Sequence, residues 1–125
     1  MKTELTIEES TKLIELGVDS KLASIKEFVN IHPEVLKGNA EYAKPWGWFP
    51  KFRLEDILSI LPKEIDGYYL NMSACMNEWY AYYMKIEILG RRTILHTNSS
   101  PELIDALYKL LIWVIEDATE VYDPT

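Results

Sequence analysis

Two histidines, one cysteine and three close carboxylate pairs are the side chains in this 125-residue chain whose types suit chemistry. His32 and His96 have the ordinary pKa nearest neutrality, which suits general acid–base transfer. His32 stands beside Pro33 with Glu34 close by, and His96 is flanked by Leu95 and Thr97. Neither belongs to a motif of known mechanics, so each reads first as a structural or solvated histidine. Cys75 needs a helix N-terminus or a cation to become a nucleophilic thiolate, and nothing local supplies one. It reads as a buried or half-buried inert thiol. The pairs Glu55/Asp56, Glu102/Asp105 and Glu116/Glu120 have the closeness that hydrolases and metal sites use. The first two stand at helix starts, where carboxylates answer the helix dipole, and the third belongs to an acidic chain end. Solvated surface is the expectation for all three. With no phosphate-cradling glycine loop, nucleophile elbow or zinc spacing, no catalytic residue, metal or cofactor is assigned.

The aromatic residues are the other candidates. Trp46, Trp48 and Phe49 fall in one segment, and Tyr69, Trp79 and Tyr83 in another. Exposed, either set would anchor a protein partner, or stack unpaired bases. Folded over one another, the two sets would bury each other, which avoids an apolar patch too large for a monomer. The formal net charge of −7 bears on the choice. The chain through Leu61 is nearly balanced, and most of the negative excess follows it. Arg91–Arg92 is the one basic doublet there. Duplex nucleic acid and an anionic membrane surface call for clustered cations, so neither is expected. A basic or neutral protein partner, or a second copy of the chain, fits the sum better. A single cysteine allows no internal disulfide, and no secretory leader or membrane-length apolar run appears, so a reducing cytoplasm is the expected compartment.

These residues need elements to position them. Thr6-Ile-Glu-Glu9 has the form of a capping box, Leu5 is a staple and Gly17 a C′ residue, so a helix is predicted over about Ile7 to Leu16. Ile25, Phe28 and Val29 suggest a second, weak helix that ends before His32-Pro33. Gly38, Pro45, Gly47 and Pro50 break any regular pattern from Lys37 to Lys51, leaving an irregular aromatic arm. Phe52 to Leu61 reads as a short helix stopped by Pro62. Asp66-Gly67 then turns the chain into three strands: Tyr68 to Cys75, Trp79 to Ile88, and about Arg92 to Thr97. Tyr68, Leu70, Met72 and Ala74 form the greasier face of the first. Tyr80, Tyr82, Met84, Ile86 and Ile88 form the greasier face of the second, leaving Tyr69, Trp79 and Tyr83 on the other. Ser99 or Ser100 is the expected N-cap of the last helix, with Glu102 completing a capping box. Its wide stripe of Leu103, Leu107, Leu110 and Val114 is expected to lie across the greasy sheet face.

The fold class is therefore α+β in a single domain spanning 1–125. A helical part with an irregular aromatic arm (1–51) precedes an α-β-β-β-α core (52–125): a short helix, a three-stranded antiparallel meander and a C-terminal helix packed on the sheet.

Three stretches carry a resemblance: Phe52-Arg-Leu-Glu-Asp-Ile-Leu-Ser-Ile-Leu-Pro-Lys-Glu-Ile65, Trp79-Tyr-Ala-Tyr-Tyr83 and Glu102-Leu-Ile-Asp-Ala-Leu-Tyr-Lys-Leu-Leu-Ile-Trp113. In this order they resemble a small uncharacterised protein family of gut bacteria and their prophages, over roughly the C-terminal two thirds. The family pattern has a Ser or Thr cap where this chain has Arg53, so the helix start is expected to differ. The resemblance implies a bacterial or phage cytoplasmic setting and no transferable activity.

The function expected from all this is a non-enzymatic cytoplasmic binding protein acting by protein contact or self-association. The alternatives are a small enzyme using His96 and nearby carboxylates in a pocket between arm and sheet, and a single-stranded nucleic-acid binder.

Overall fold

Thr6 sets the first element in place. In the computed structural model, which describes residues 1–30 and 46–117 (without the side chains of Val29, Asn30 and Trp46), its hydroxyl accepts from the Glu9 N–H at 3.1 Å, and the Glu9 carboxylate accepts from the Thr6 N–H at 2.9 Å. This capping box opens helix α1, Ile7–Glu15, and Gly17 follows it at φ 111°, open to glycine without strain. Ile7, Ser10 and Leu13 share the buried face. His32 and most of the arm lie outside the described residues, as does the chain from 118 on.

The described chain forms two compact units, residues 3–56 and residues 57–117 with Met1 and Lys2. In the first, the segment expected to be a weak helix is strand β1, Ile25–Asn30. The end of the expected irregular arm is strand β2, Trp46–Lys51. They pair antiparallel, from Ile25 opposite Lys51 to Asn30 opposite Trp46. Cross-strand pairing overrides the weak helical spacing. Pro50 and Gly47 are tolerated because each strand of a two-stranded ribbon has a free side, and Gly47 takes φ 133°. Alternation then sends Phe49 and Lys51 inward and Trp48 outward. Leu5, Leu13, Phe49 and Phe52 are buried, and α1 packs on β2.

Helix α2, Leu54–Ile60, follows Arg53. Asp56 secures its start: the carboxylate accepts from the Arg53 N–H at 2.8 Å and from the N–H and hydroxyl of Ser24 at 2.9 and 2.8 Å. Lys51, itself buried, donates to Glu4 and Glu27 at 2.9 and 3.0 Å. The hydrogen bond it donates to Glu4 raises the Lys51 pKa, against the opposing effect of burial, and Glu27 adds to the rise.

The second unit has four strands where three are expected: β3, Glu64–Ile65; β4, Tyr68–Cys75; β5, Glu78–Ile86; and β6, Arg92–Ser100. They lie in that order and are antiparallel throughout. The extra strand is two residues long, too short to show as a pattern. It exists because Asp66-Gly67 is more than an entry turn: both residues take positive φ, 49° and 86°, and close a two-residue hairpin. Met76 and Asn77 do the same between β4 and β5.

Strand β6 runs on through Ser99 and Ser100, which pair with Tyr80 and Trp79. The expected serine N-cap of the last helix is thereby lost to the sheet. Glu102 is the N-cap residue of α3, Leu103–Glu116, with no side-chain cap, and its carboxylate instead accepts from the Lys2 N–H at 2.9 Å. Helix α3 packs on β5 and β6, as expected of a C-terminal helix on the sheet, but on the face of β5 opposite the one expected; by register it is the side that carries Leu70, Met72 and Ala74 of β4, the face expected there. Ala81 and Tyr83 are fully buried, with Trp113 of α3 against Tyr83 and His96. The small Ala81 admits the helix, and the Tyr83 hydroxyl donates to the Pro62 carbonyl at 2.9 Å, which makes a buried phenol acceptable. The Tyr80, Tyr82, Met84, Ile86 face is left half-buried to exposed.

Candidate functional site

Each side chain singled out from the sequence has a definite place. His96 is half-buried on the covered sheet face, with its ring stacked on Trp113 at 4.3 Å and 3° between planes. Burial lowers its pKa from 6.5, and the negative charge of Asp117 partly opposes the shift. It donates to no acid among the described residues with the geometry of an acid–base dyad. Cys75 is exposed, a correction to the expected buried thiol: β4 runs past the elements that α3 covers and ends at the Met76–Asn77 tip.

Two of the three carboxylate pairs are structural, where solvated surface is expected. Glu102 and Asp105 both hold Lys2, the second through an ion pair of 2.8 Å. Asp56 caps α2, while Glu55 pairs with Arg53 at 3.2 Å. Glu116 is exposed at the end of α3, and Glu120 lies outside the described residues. Among the described residues no group of three His, Cys, Asp or Glu is placed to hold a metal ion.

The aromatic set separates sharply. Phe49 and Tyr83 are buried, at 4% and 0% exposure, and leave the candidate surface. Tyr69 does not share a face with Trp79 and Tyr83 as expected. The register sets Tyr69 opposite Met84, and Leu70 opposite Tyr83, so Tyr69 stands on the open side. Trp79 is half-buried on the covered side, opposite Ala74. Trp46 begins β2, and its side chain is outside the described part.

Trp48 is the exception. It is 63% exposed, and the register sets it opposite Phe28, itself 51% exposed; their rings meet edge to face at 5.3 Å. Lys26 and Pro50, the next pair on that face, continue it into a hollow of about 360 Å³ lined by Ser20, Lys21, Ala23, Lys26, Trp48 and Pro50. An edge-to-face pair is worth roughly 0.5–1.5 kcal/mol beyond its buried area. That holds the two rings in a fixed shape while most of their surface stays in water. The result is a rigid aromatic ridge with two ammonium groups beside it.

Phe28 and the two lysines escaped notice because Ile25 to Val29 reads as a poor helix. The signal that finds them is pairing: two six-residue runs that match only once Trp48 is set against Phe28.

Comparison with protein-family models, curated proteins and solved structures finds no significant match. Among the described residues, no helix is long and apolar enough to cross a membrane.

Proposed function

We propose that the protein is a non-enzymatic binding protein of a bacterial or prophage cytoplasm, and that it acts through protein contact on the Phe28–Trp48 face. One observation carries the reading: two large aromatic rings, locked edge to face at 5.3 Å, that present most of their surface to solvent. Tryptophan is the residue most enriched among interface anchors, because it desolvates a large area at small cost in rotamer entropy. The hollow beside it, with Lys21 and Lys26, offers a partner's side chain or carboxylate a seat. His96 stacked on an indole, and carboxylates used for caps and ion pairs, weigh against the enzyme alternative.

The test is a comparison of wild type with Trp48→Ala by native mass spectrometry of protein isolated from bacterial cells. A discrete complex, a dimer or a heteromer, is expected from wild type and lost from Trp48→Ala, with thermal unfolding still cooperative and lowered only by the lost ring pair. A monomer in both would overturn the reading.

Trp48 with two nearby lysines also favours a second reading, stacking of an unpaired base with phosphate held by ammonium groups. It requires binding of an oligonucleotide that weakens steeply with salt; a flat, weak response removes it.

A further inference from the structure

Ile86, Ile88, Leu89 and Ile94, in the second unit, are 65%, 89%, 99% and 53% exposed. A strand connection is ordinarily built from Gly, Asn, Asp or Ser, whose small or polar side chains suit water and positive φ. The connection between β5 and β6 carries Ile88 and Leu89 instead, and Leu89 is held at φ 72°, in the left-handed region that its side chain disfavours.

Two concavities adjoin this tip. One of about 630 Å³ is lined by Lys85, Ile86, Glu87, Ile88, Leu89 and Arg91, and one of about 350 Å³ by Gly67, Tyr69, Asn71, Met84, Lys85 and Ile86. They share Lys85 and Ile86 as lining residues and so adjoin, the first at the tip and the second against Tyr69, Asn71 and Met84; the two together are termed the groove. The register carries its apolar row onto β6, with Met84 beside Ile94 and Ile86 beside Arg92. The charges beside it are Arg91 and Arg92 against Glu87, the Lys85 ammonium being turned to the other face over the Tyr68 ring at 4.8 Å: locally positive, on a chain whose sum is −7.

We infer that this groove docks an acidic segment of a partner protein, with bulky apolar side chains on Ile86, Ile88, Leu89 and Ile94 and carboxylates meeting Arg91 and Arg92. Charge complementarity selects the occupant. The local field reverses the basic or neutral partner that the net charge suggests, because within one Debye length the rim outweighs distant carboxylates. An anionic bilayer offers the same charge. It would engage the tip alone, however, whereas the apolar row runs back through Met84 to Tyr69.

The probe is a short fluorescein-labelled helical peptide with Leu on one face and Glu on the other. Matched peptides carry Gln or Lys in place of Glu, and phosphatidylserine vesicles form a separate arm. The Leu/Glu peptide is expected to bind roughly tenfold tighter than either match and to weaken with salt. Arg91→Glu with Arg92→Glu should abolish that preference, and Ile88→Ser with Leu89→Ser should weaken binding to the Leu/Glu peptide, both with unchanged thermal unfolding. Equal binding of the Gln or Lys peptide would overturn the acidic occupant, and no binding by any peptide would overturn the groove as a docking site. Vesicle binding that the Leu/Glu peptide does not displace would reassign it to a membrane surface. None of these outcomes depends on Trp48, so the Phe28–Trp48 face stands or falls separately.

Discussion

Asp56 shows how much one carboxylate does at the start of a helix. It takes three hydrogen bonds from Arg53 and Ser24. Asp56→Ala strands those donors at the start of α2, so a loss of about 2–4 kcal/mol is expected, measured by urea unfolding. The cap of α1 was legible because Thr6 and Glu9 are three residues apart; that of α2 was not, because Ser24 reaches Asp56 only in the folded chain. Met76 presents the opposite case, a residue at φ 51° and 91% exposed with nothing to gain from its side chain. Met76→Asn, which suits a left-handed hairpin position, is expected to stabilise the protein by about 0.5–1 kcal/mol in the same assay. His96 sets a pH dependence. Burial lowers its folded pKa below 6.5, so the unfolded chain takes up the proton first as pH falls. Its contribution is therefore fully present above 6.5 and lost as pH drops through the folded value. The imidazole resonance followed by NMR should titrate below that of a free histidine, and His96→Phe should flatten this part of the stability profile; an unshifted titration would contradict the stacked, half-buried placement.

At the scale of elements, alternation within a strand is readable from sequence, but the register between strands is not. The bounds of β4 and the α+β class were legible for the first reason. The side of the sheet that α3 covers was not, because hydropathy ranks Tyr80, Tyr82, Met84 and Ile86 above Trp79, Ala81 and Tyr83. What decides is fit: Ala81 leaves room for a helix, and Tyr83 finds the Pro62 carbonyl. Ala81→Leu should cost about 1–3 kcal/mol by overpacking. Tyr83→Phe should cost about 1 kcal/mol for the lost hydrogen bond, and both are read by thermal unfolding. If Ala81→Leu were neutral, α3 would not lie on that face. Strands β1 and β2 were missed for a related reason, since neither Ile25–Asn30 nor Trp46–Lys51 looks like a strand until the other is set beside it.

For the whole molecule, composition gave an acidic chain with surplus aromatics, and folding decides which of them face out. Phe49 and Tyr83 went to the interior, while Trp48 remained outside with a partner ring the linear pattern had hidden. The net charge described the sum and not the surfaces: the Phe28–Trp48 face has Lys21 and Lys26 beside its hollow, and the open sheet face has Arg91 and Arg92 at its rim. With the ridge as an interface anchor, Trp48→Ala should weaken the complex by about 2 kcal/mol or more, roughly thirtyfold in Kd, a larger loss than the roughly 0.5–1.5 kcal/mol of fold stability that goes with the ring pair. The most direct measurement places a photo-crosslinking benzophenone amino acid at Phe28 in living bacteria, with Glu8 of α1 as the exposed control. The expected result is one discrete heavier species from position 28, absent in a Trp48→Ala background and absent from position 8. No adduct from position 28, or the same ladder from both positions, would contradict protein contact through this face.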